Sequence, residues 1–243
     1  MNTTVYQLLL LSVGASFVQR TTGFGFGIFI MTMLPTLMPS FGEATTLSGA
    51  LAMTTSCIIV LQKRKFISWK RLLPILGAFV VVSVCAIFLL RRMEYQILNI
   101  MLGVTLIGVS IYFTFFSKRI KIKTTLPTQL AAGAVSGLMG GFFGMQGPPA
   151  VLYFVNSEPD KNHYIAMTQT YFLLGNLIMT ITRAYNGYFT QAVGHGYLSG
   201  LAGIFVGNLI GTYVFNRLSG PLLRYLVYLY IAISGTLFLI ENI

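Results

Sequence analysis

The chain has few charged residues, and its long apolar runs contain no acidic ones. Charged residues make up 9% of its 243 positions, whereas 55% are hydrophobic; an ordinary soluble domain is about one quarter charged. The acids all fall at expected loops or segment ends: Glu43, Glu94, Glu158, Asp160 and Glu241. Carboxylates in mid-membrane are the usual proton relays and ligands of coupling cations. Because none is expected there, an anion path is favoured over a cation path.

Cysteine is scarce as well, and common enzyme motifs are missing. Cys57 and Cys85 lie inside apolar runs, where we expect small buried side chains rather than a disulfide or a metal cluster. There is no His-Glu-x-x-His helix, no Gly-x-Ser-x-Gly turn and no Walker loop. We therefore expect a protein that is not an enzyme and that uses no metal or other cofactor.

Long apolar runs fill most of the sequence. We count eight hydrophobic segments, most of them near or above the roughly 20 residues that cross a bilayer core. They span 21–42, 44–62, 72–90, 95–117, 124–157, 164–182, 184–216 and 225–240. The N-terminus lacks a basic region and an obvious cleavage site, so we expect no removable signal peptide. The expected fold is an all-α integral membrane protein, multi-pass in the cell (inner) membrane.

The basic residues, which give a formal net charge of +11, occur in short clusters between the apolar runs. Such clusters are typical of cytoplasmic loops in membrane proteins, whereas a nucleic-acid-binding protein gathers its charge on one soluble face. We therefore expect a surrounding lipid bilayer and no nucleic-acid partner.

The two halves of the sequence resemble each other. Leu11, Gly14, Ala15, Phe24 and Gly25 recur at the same spacing as Leu130, Gly133, Ala134, Phe143 and Gly144. This predicts a duplicated four-segment unit, with a first repeat at 1–117, a basic inter-repeat loop at 118–127 and a second repeat at 128–243. Internal symmetry of this kind is characteristic of transporters.

Clustered glycines break the first and fifth segments, in the stretches 20–28 and 140–149. Such a break exposes backbone polar groups that hydrocarbon cannot satisfy, so it persists only inside protein or beside a watery cavity. Each broken segment either crosses the bilayer or turns back as a hairpin. If both turn back, Lys161, Arg217 and Arg224 move to the inside and Arg183 moves out, which fits the positive-inside rule better. We favour this re-entrant arrangement, in which the two repeats are inverted.

The breaks are also the best candidates for a binding site. A half-helix that begins after a break presents unpaired N–H groups and the positive end of its dipole, which attract an anion. Polar side chains at similar depth complete a hydrogen-bonding cage. The candidate substrate-binding residues are Gln19, Arg20, Thr21, Thr22, Gly23, Gly25, Gly27, Gly144, Gln146, Gly147, Pro148, Gln169 and Asn176.

Two of these assignments have a simpler alternative. In the alternative, the glycines of the breaks only allow helices to pack closely. Close packing is also the role that we expect for Gly203, Gly207 and Gly211 in the seventh segment. Arg20 either faces water, a carboxylate or an anionic ligand, or extends its side chain to the membrane interface.

The second break carries a specific motif. The stretch from Phe143 to Tyr153 reads FGMQGPPAVLY. With the paired breaks and the duplication, it resembles the TauE/SafE family of membrane permeases, the sulfite exporter family, over essentially the whole chain. It is similar to the family form Gly-x-Gly-Gly-Pro-Pro-x-x-Leu-Tyr, with Gln146 in place of a glycine. The first break is similar to Gly-x-Gly-Gly-Gly followed by proline, with Phe26 in place of the middle glycine and Pro35 downstream.

The resemblance implies secondary transport, without ATP, of small sulfur-containing or organic anions such as sulfite, sulfonates or sulfoacetate. The residues independently favour an anion. We expect the small anionic substrate to bind between the broken segments, with alternating access at a midplane site. The sequence leaves open a passive anion channel, a membrane anion sensor without transport, and assembly into a homo-oligomer.

Overall fold

The computed structural model describes residues 2–116, 122–158, 160–215 and 220–242. Its helices are α1 (Asn2–Thr22), α2 (Phe26–Ile30), α3 (Leu34–Leu37), α4 (Phe41–Lys63), α5 (Trp69–Leu90), α6 (Tyr95–Ile111), α7 (Leu126–Phe143), α8 (Gly147–Ser157), α9 (Lys161–Tyr185), α10 (Gln191–Phe215) and α11 (Gly220–Asn242). A 3-10 turn, Arg64–Phe66, follows α4, and a π-helical turn, Tyr112–Phe116, follows α6. The described residues contain no strand, in agreement with the all-α prediction.

Among the described residues, five helices are long and apolar enough to cross a membrane. They are Phe41–Phe66, Trp69–Leu90, Tyr95–Phe116, Lys161–Tyr185 and Gln191–Gly211, and a shorter apolar helix covers Tyr228–Asn242. These helices correspond to the unbroken segments of the sequence. The first and fifth segments are divided, the first between α1, α2 and α3, and the fifth between α7 and α8.

Helices α4 and α9 pack against each other at the centre of the molecule. Every residue from Phe41 to Ala52 is buried, including polar ones, so this part of α4 faces protein on all sides. Around this central pair, α1 packs on α10, α5 on α7, and α6 on α11.

Glycines on α10 allow α1 to approach closely. A Cβ atom on Gly203 would lie 2.5 Å from the carbonyl oxygen of Leu9, and one on Gly207 would overlap the carbonyl oxygen of Val13. Neither backbone atom can move away without shifting α1. The prediction that this glycine stripe serves helix packing is confirmed.

Helices α7 and α8 form a hairpin that returns to the side from which it starts. Near the start of α7, Gln129 Nε2 donates to the carbonyl oxygen of Arg71 at 2.5 Å. Just after α8, the carboxylate of Glu158 accepts from Arg71 Nη1 at 3.3 Å. Both ends of the α7–α8 segment therefore meet the first turn of α5.

The first broken segment begins and ends at the opposite end of the molecule. Leu8 of α1 and Leu47 of α4 both lie against Gly196, near the start of α10. The beginnings of α1 and α4 are thus at the same end, and α4 then runs from there towards α5 and Arg71. The two hairpins enter the helix bundle from opposite sides.

Several predictions based on single residues need correction or lie outside the described residues. Cys57 is only partly buried and Cys85 is exposed, so the prediction that both are buried is wrong; an outward position on a membrane helix faces lipid and needs no burial in protein. In the predicted basic loop, residues 118–121 lie outside the described residues, and α7 already begins at Leu126. Arg217 and the side chain of Arg224 also lie outside them.

Candidate functional site

The glycine breaks are sharp backbone turns. Gly23 and Gly25 have φ angles of 85° and 97°, and Gly144 has a φ of 68°, a left-handed region that residues with a side chain rarely adopt. Gly25 is the N-cap of α2 and Gly144 the C-cap of α7. The N–H of Gly144 still bonds to the carbonyl oxygen of Gly140 at 2.9 Å. These glycines are therefore required by backbone geometry at the turns.

The two breaks contact each other in the interior. A Cβ atom on Gly27 would overlap the carbonyl oxygen of Gly144. Phe24 lies against Gly147, whose Cβ position is 3.8 Å from the Phe24 ring. Behind Gly144, Ser48 Oγ of α4 is 3.6 Å from the corresponding Cβ position. The two hairpin tips thus meet backbone to backbone beside the central helix α4.

A cavity of about 30 Å³ lies between the tips. It has room for about two water molecules. Both breaks, α4 and α9 contribute to its wall, which consists of Gln19, Gly25, Phe26, Gly27, Ile28, Ala52, Ser56, Gly144, Met145, Gln146, Gly147, Phe172 and Asn176.

Two side-chain amides support the first break. Thr55 Oγ1 donates to Gln19 Oε1 at 3.1 Å, and Gln19 Nε2 donates to Gln169 Oε1 at 3.5 Å. Gln169 Nε2 in turn donates to the carbonyl oxygen of Gly23 at 3.0 Å. This chain of hydrogen bonds joins α1, α4 and α9 at the first turn.

Gln146 and its neighbours hold the second break. Gln146 Nε2 donates to the carbonyl oxygen of Phe172 at 3.1 Å, and the backbone carbonyl of Gln146 accepts from Ser136 Oγ. The hydroxyl of Tyr171 bonds to Ser136 Oγ at 2.8 Å. The Gln146 side chain occupies the space above Gly175, where a Cβ atom would overlap its Oε1. The second turn is therefore fixed to α7 and α9.

Three polar atoms of the cavity wall have no hydrogen-bond partner. They are Ser56 Oγ, Gln146 Oε1 and Asn176 Oδ1, and all three are buried. Leaving a buried polar group unsatisfied costs about 1–3 kcal/mol, so such atoms in a native structure call for an explanation, such as a bound ligand. Their position in one cavity marks it as the candidate binding site.

Seven of the residues that we predicted from the sequence line this cavity, and two more adjoin it. The cavity residues are Gln19, Gly25, Gly27, Gly144, Gln146, Gly147 and Asn176. Gly23 and Gln169 adjoin it through the hydrogen bond between them.

The other predicted residues lie elsewhere. Thr21 Oγ1 bonds to the carbonyl oxygen of Phe17 in its own helix at 2.8 Å. Arg20 is exposed and packs against Gly211 of α10. Pro148 lines a separate, mainly apolar groove of about 410 Å³ with Tyr112 and other residues. The side chain of Thr22 lies outside the described residues.

Arg183 is a site residue that the sequence interpretation missed. In the re-entrant arrangement we counted it among the charges outside, between two hydrophobic segments. The structure places it in the last turns of α9, with a side chain that is 0% exposed. Its Nη2 donates to the carbonyl oxygens of Gly140 and Gly141 at 2.8 and 2.9 Å, and its Nη1 to that of Thr45 at 3.2 Å. Arg183 thus binds the last turn of α7 directly before the second break.

A sequence signal for Arg183 was present in α9. Gln169, Asn176, Thr180 and Arg183 are separated by seven, four and three residues, which places them on one face of a helix. Because Gln169 and Asn176 were predicted to face the binding site, Arg183 on the same face of the helix could have been predicted to lie inside the bundle.

The acidic side chains lie away from the cavity. Glu43 accepts hydrogen bonds from Ser40 at 2.8 Å and Thr190 at 2.6 Å, and Glu158 accepts from Arg71. All five acids occupy helix caps or the first or last turns of helices, as predicted. Within the described residues, no group of three His, Cys, Asp or Glu side chains could hold a metal ion.

Comparison with known protein families gives a match over almost the whole chain. The family model described as Sulfite exporter TauE/SafE matches residues 8–238, a range that includes both breaks and the whole cavity wall. No curated protein matches the chain, and no solved structure matches it.

Proposed function

The chain belongs to the sulfite exporter TauE/SafE family of membrane transporters, and on that basis we propose that it is a secondary transporter of small sulfur-containing or organic anions. The contact between Gly27 and Gly144, beside a cavity with unpartnered polar groups in its wall, carries this proposal. A transporter with a midplane site needs broken helices whose free backbone groups face the substrate. The two turns supply such groups from both halves of the chain.

The chemistry of the cavity supports an anion. At the start of α2, the first N–H groups have no acceptor within the helix. At the start of α8 only the Gly147 N–H is free in this way, because Pro148 and Pro149, which follow it, have no N–H. A helix N-terminus also carries partial positive charge. The cavity wall contains no acidic side chain, and the buried Arg183 binds the second break from α9. An oxyanion such as sulfite would therefore find hydrogen-bond donors and a favourable potential.

The packing of the helices supports a duplicated, inverted unit. In such a unit α1 corresponds to α7, α4 to α9, α5 to α10 and α6 to α11. The packing agrees with this correspondence, because the contact of α1 with α10 has its counterpart in the contact of α7 with α5. The two remaining pairs, α4 with α9 and α6 with α11, each join a helix to its own counterpart. Hairpins that enter from opposite sides agree with this relation.

The size of the cavity supports a mechanism in which the two hairpins move relative to each other. A space for about two waters is too small for sulfite, which has four heavy atoms, so the two hairpin tips have to separate to admit it. Separation towards one side and then the other would give alternating access, because each tip belongs to a hairpin that enters from its own side.

The test is transport by purified protein in proteoliposomes. Sulfite, sulfate, sulfoacetate, taurine and simple carboxylates are compared, with and without proton or sodium gradients. We expect saturable flux of one or more oxyanions. Gly25→Val and Gly144→Val should abolish this flux, since both glycines have positive φ. Gly77→Val is the matched control, because a Cβ at Gly77 meets no atom within 4 Å.

The outcomes separate the alternatives. Full activity in both folded variants would reject the placement of the site, and a preference for cations would reject the function. Voltage-driven currents without saturation would indicate a passive channel. Binding of an anion without flux would indicate a sensor.

A further inference from the structure

Arg183 is a buried cation whose hydrogen bonds are made to backbone only. Its side chain is 0% exposed, and its three hydrogen bonds go to the carbonyl oxygens of Thr45, Gly140 and Gly141. The ion pairs among the described residues are Arg71 with Glu158 and His163 with Asp160. Charged side chains inside a membrane protein pair with one another or with backbone carbonyls, and they mark substrate pathways. Arg183 has the backbone partners and no acidic one among the described residues, so a substrate anion is a candidate partner.

The guanidinium group retains hydrogen-bonding capacity. Arginine has five N–H donors, and Arg183 uses three of them, two on Nη2 and one on Nη1. The Nε–H and the second Nη1–H remain. Nε is buried and has no partner.

Polar atoms from α9 lie around Gly49 of α4 and leave a space there that would just admit a methyl group. A Cβ atom on Gly49 would lie 3.3 Å from Thr180 Oγ1, 3.6 Å from Asn176 Oδ1 and 3.7 Å from Arg183 Nη1. The Thr180 and Asn176 oxygens are buried and have no hydrogen-bond partner. The space is thus lined by a hydroxyl, an amide and a cation.

We propose that Arg183, Thr180 and Asn176 form a second anion subsite beside Gly49, which takes an oxygen of a small oxyanion as it leaves or enters the central cavity. The hydroxyl of Thr180 can rotate to donate, and the Asn176 amide can turn its NH₂ group towards the space. Asn176 also lines the central cavity, so the two sites share this residue. Thr180 and Arg183 lie about one and two helical turns beyond Asn176, towards the end of the bundle where α9 ends. This inference rests on the proposed anion transport.

Filling the space tests the subsite without touching the arginine. Gly49→Ala places a methyl group 3.3 Å from Thr180 Oγ1, which has to move by a few tenths of an ångström, and 3.7 Å from Arg183 Nη1, which is an ordinary contact. The hydrogen bonds of Arg183 can therefore remain. We expect sulfite counterflow in proteoliposomes to fall about tenfold in turnover, as for loss of one hydrogen bond to a charged group. Gly194→Ala on α10 is the matched control, since a Cβ there meets no atom within 4 Å, and it should transport at the wild-type rate.

Two further variants separate charge from packing. Thr180→Val removes the hydroxyl at constant shape, and we expect a loss similar to that of Gly49→Ala. Arg183→Met removes the charge, whereas Arg183→Lys keeps it; we expect Lys to recover at least part of the flux that Met loses. Thermal unfolding in detergent checks that each variant is folded. If folded Gly49→Ala and Thr180→Val both match Gly194→Ala in turnover, the subsite is refuted.

Direct location of an anion gives a test that does not depend on flux. Selenite has the shape of sulfite and scatters anomalously at the selenium edge. In crystals of the full-length protein soaked in selenite, we expect a selenium peak between Gly49 and Arg183 in the wild type and none there in Gly49→Ala. A wild-type peak only in the central cavity, or none at all, would overturn the subsite. Absence of flux for every anion in wild-type proteoliposomes would instead overturn the proposed function.

Discussion

The two glycine breaks differ in how firmly the rest of the molecule holds them. The first has two glycines with positive φ and leads into two short helices, α2 and α3. Its turn is exposed at Gly23, whose Cβ position meets no atom within 4 Å. The second has one such glycine, Gly144, and leads directly into the 11-residue helix α8.

The hydrogen bonds that hold the two breaks in place also differ in number. Gln169 donates to the backbone of the first turn. The second turn is held by Ser136 and, through the last turn of α7, by Arg183, and Gln146 adds a bond to Phe172. Regions with fewer buried contacts open at lower free energy. We infer that the second break is the rigid partner and that the first break moves more during transport.

The largest expected effect comes from the backbone contact between the breaks. Gly27→Ala would place a methyl group on the carbonyl oxygen of Gly144, and backbone cannot rotate out of the way as a side chain can. We expect transport to fall by about fivefold or more, since a clash in a packed interior costs about 1–3 kcal/mol. Proteoliposome flux measures this.

Gly23→Ala is the matched control on the same break. Its methyl group meets no neighbour, so only the left-handed backbone is penalised, by roughly 1–2 kcal/mol. The variant should remain folded and keep more transport than Gly27→Ala. Equal transport by the two variants would contradict the view that the tips meet at Gly27.

An intermediate effect is expected where the amides of the two breaks are removed. Gln146→Leu removes the side-chain donor of the Phe172 carbonyl, which keeps its hydrogen bond within α9, and we expect a loss of about 0.5–1.5 kcal/mol. Gln169→Leu affects the carbonyl of Gly23, which lies at an exposed turn where water can replace the amide. Thermal unfolding in detergent should show the larger loss for Gln146→Leu; the reverse order would mean that the first break is the more firmly held.

The smallest effect is expected at the base of the second hairpin. The Arg71 side chain is 65% exposed and that of Glu158 is 4% exposed, and pairs with an exposed member contribute about 0–1 kcal/mol. Arg71→Gln should therefore lower the unfolding temperature slightly. The difference from the wild type should shrink in high salt, because salt screens exposed charges. A large loss that is independent of salt would show that the hairpin depends on this ion pair.

Local sequence features predicted much of this architecture. The apolar runs gave the long helices, because burial in hydrocarbon needs about 20 apolar residues in a row. The glycine clusters gave both breaks, since positive φ is accessible to glycine at little cost. Carboxylates were correctly placed at helix ends. Each of these properties depends on residues that are neighbours along the chain.

The sequence by itself therefore determined the helical class, the two breaks and the family motif around Gln146. Only the tertiary structure decided that Arg183 lies inside the bundle, that Arg20 points outwards and that Gly27 meets Gly144. The reason is that helix periodicity says which residues share a face, but the neighbour of that face depends on how distant segments pack. Polar groups such as Arg183 gain their partners only when α4, α7 and α9 come together.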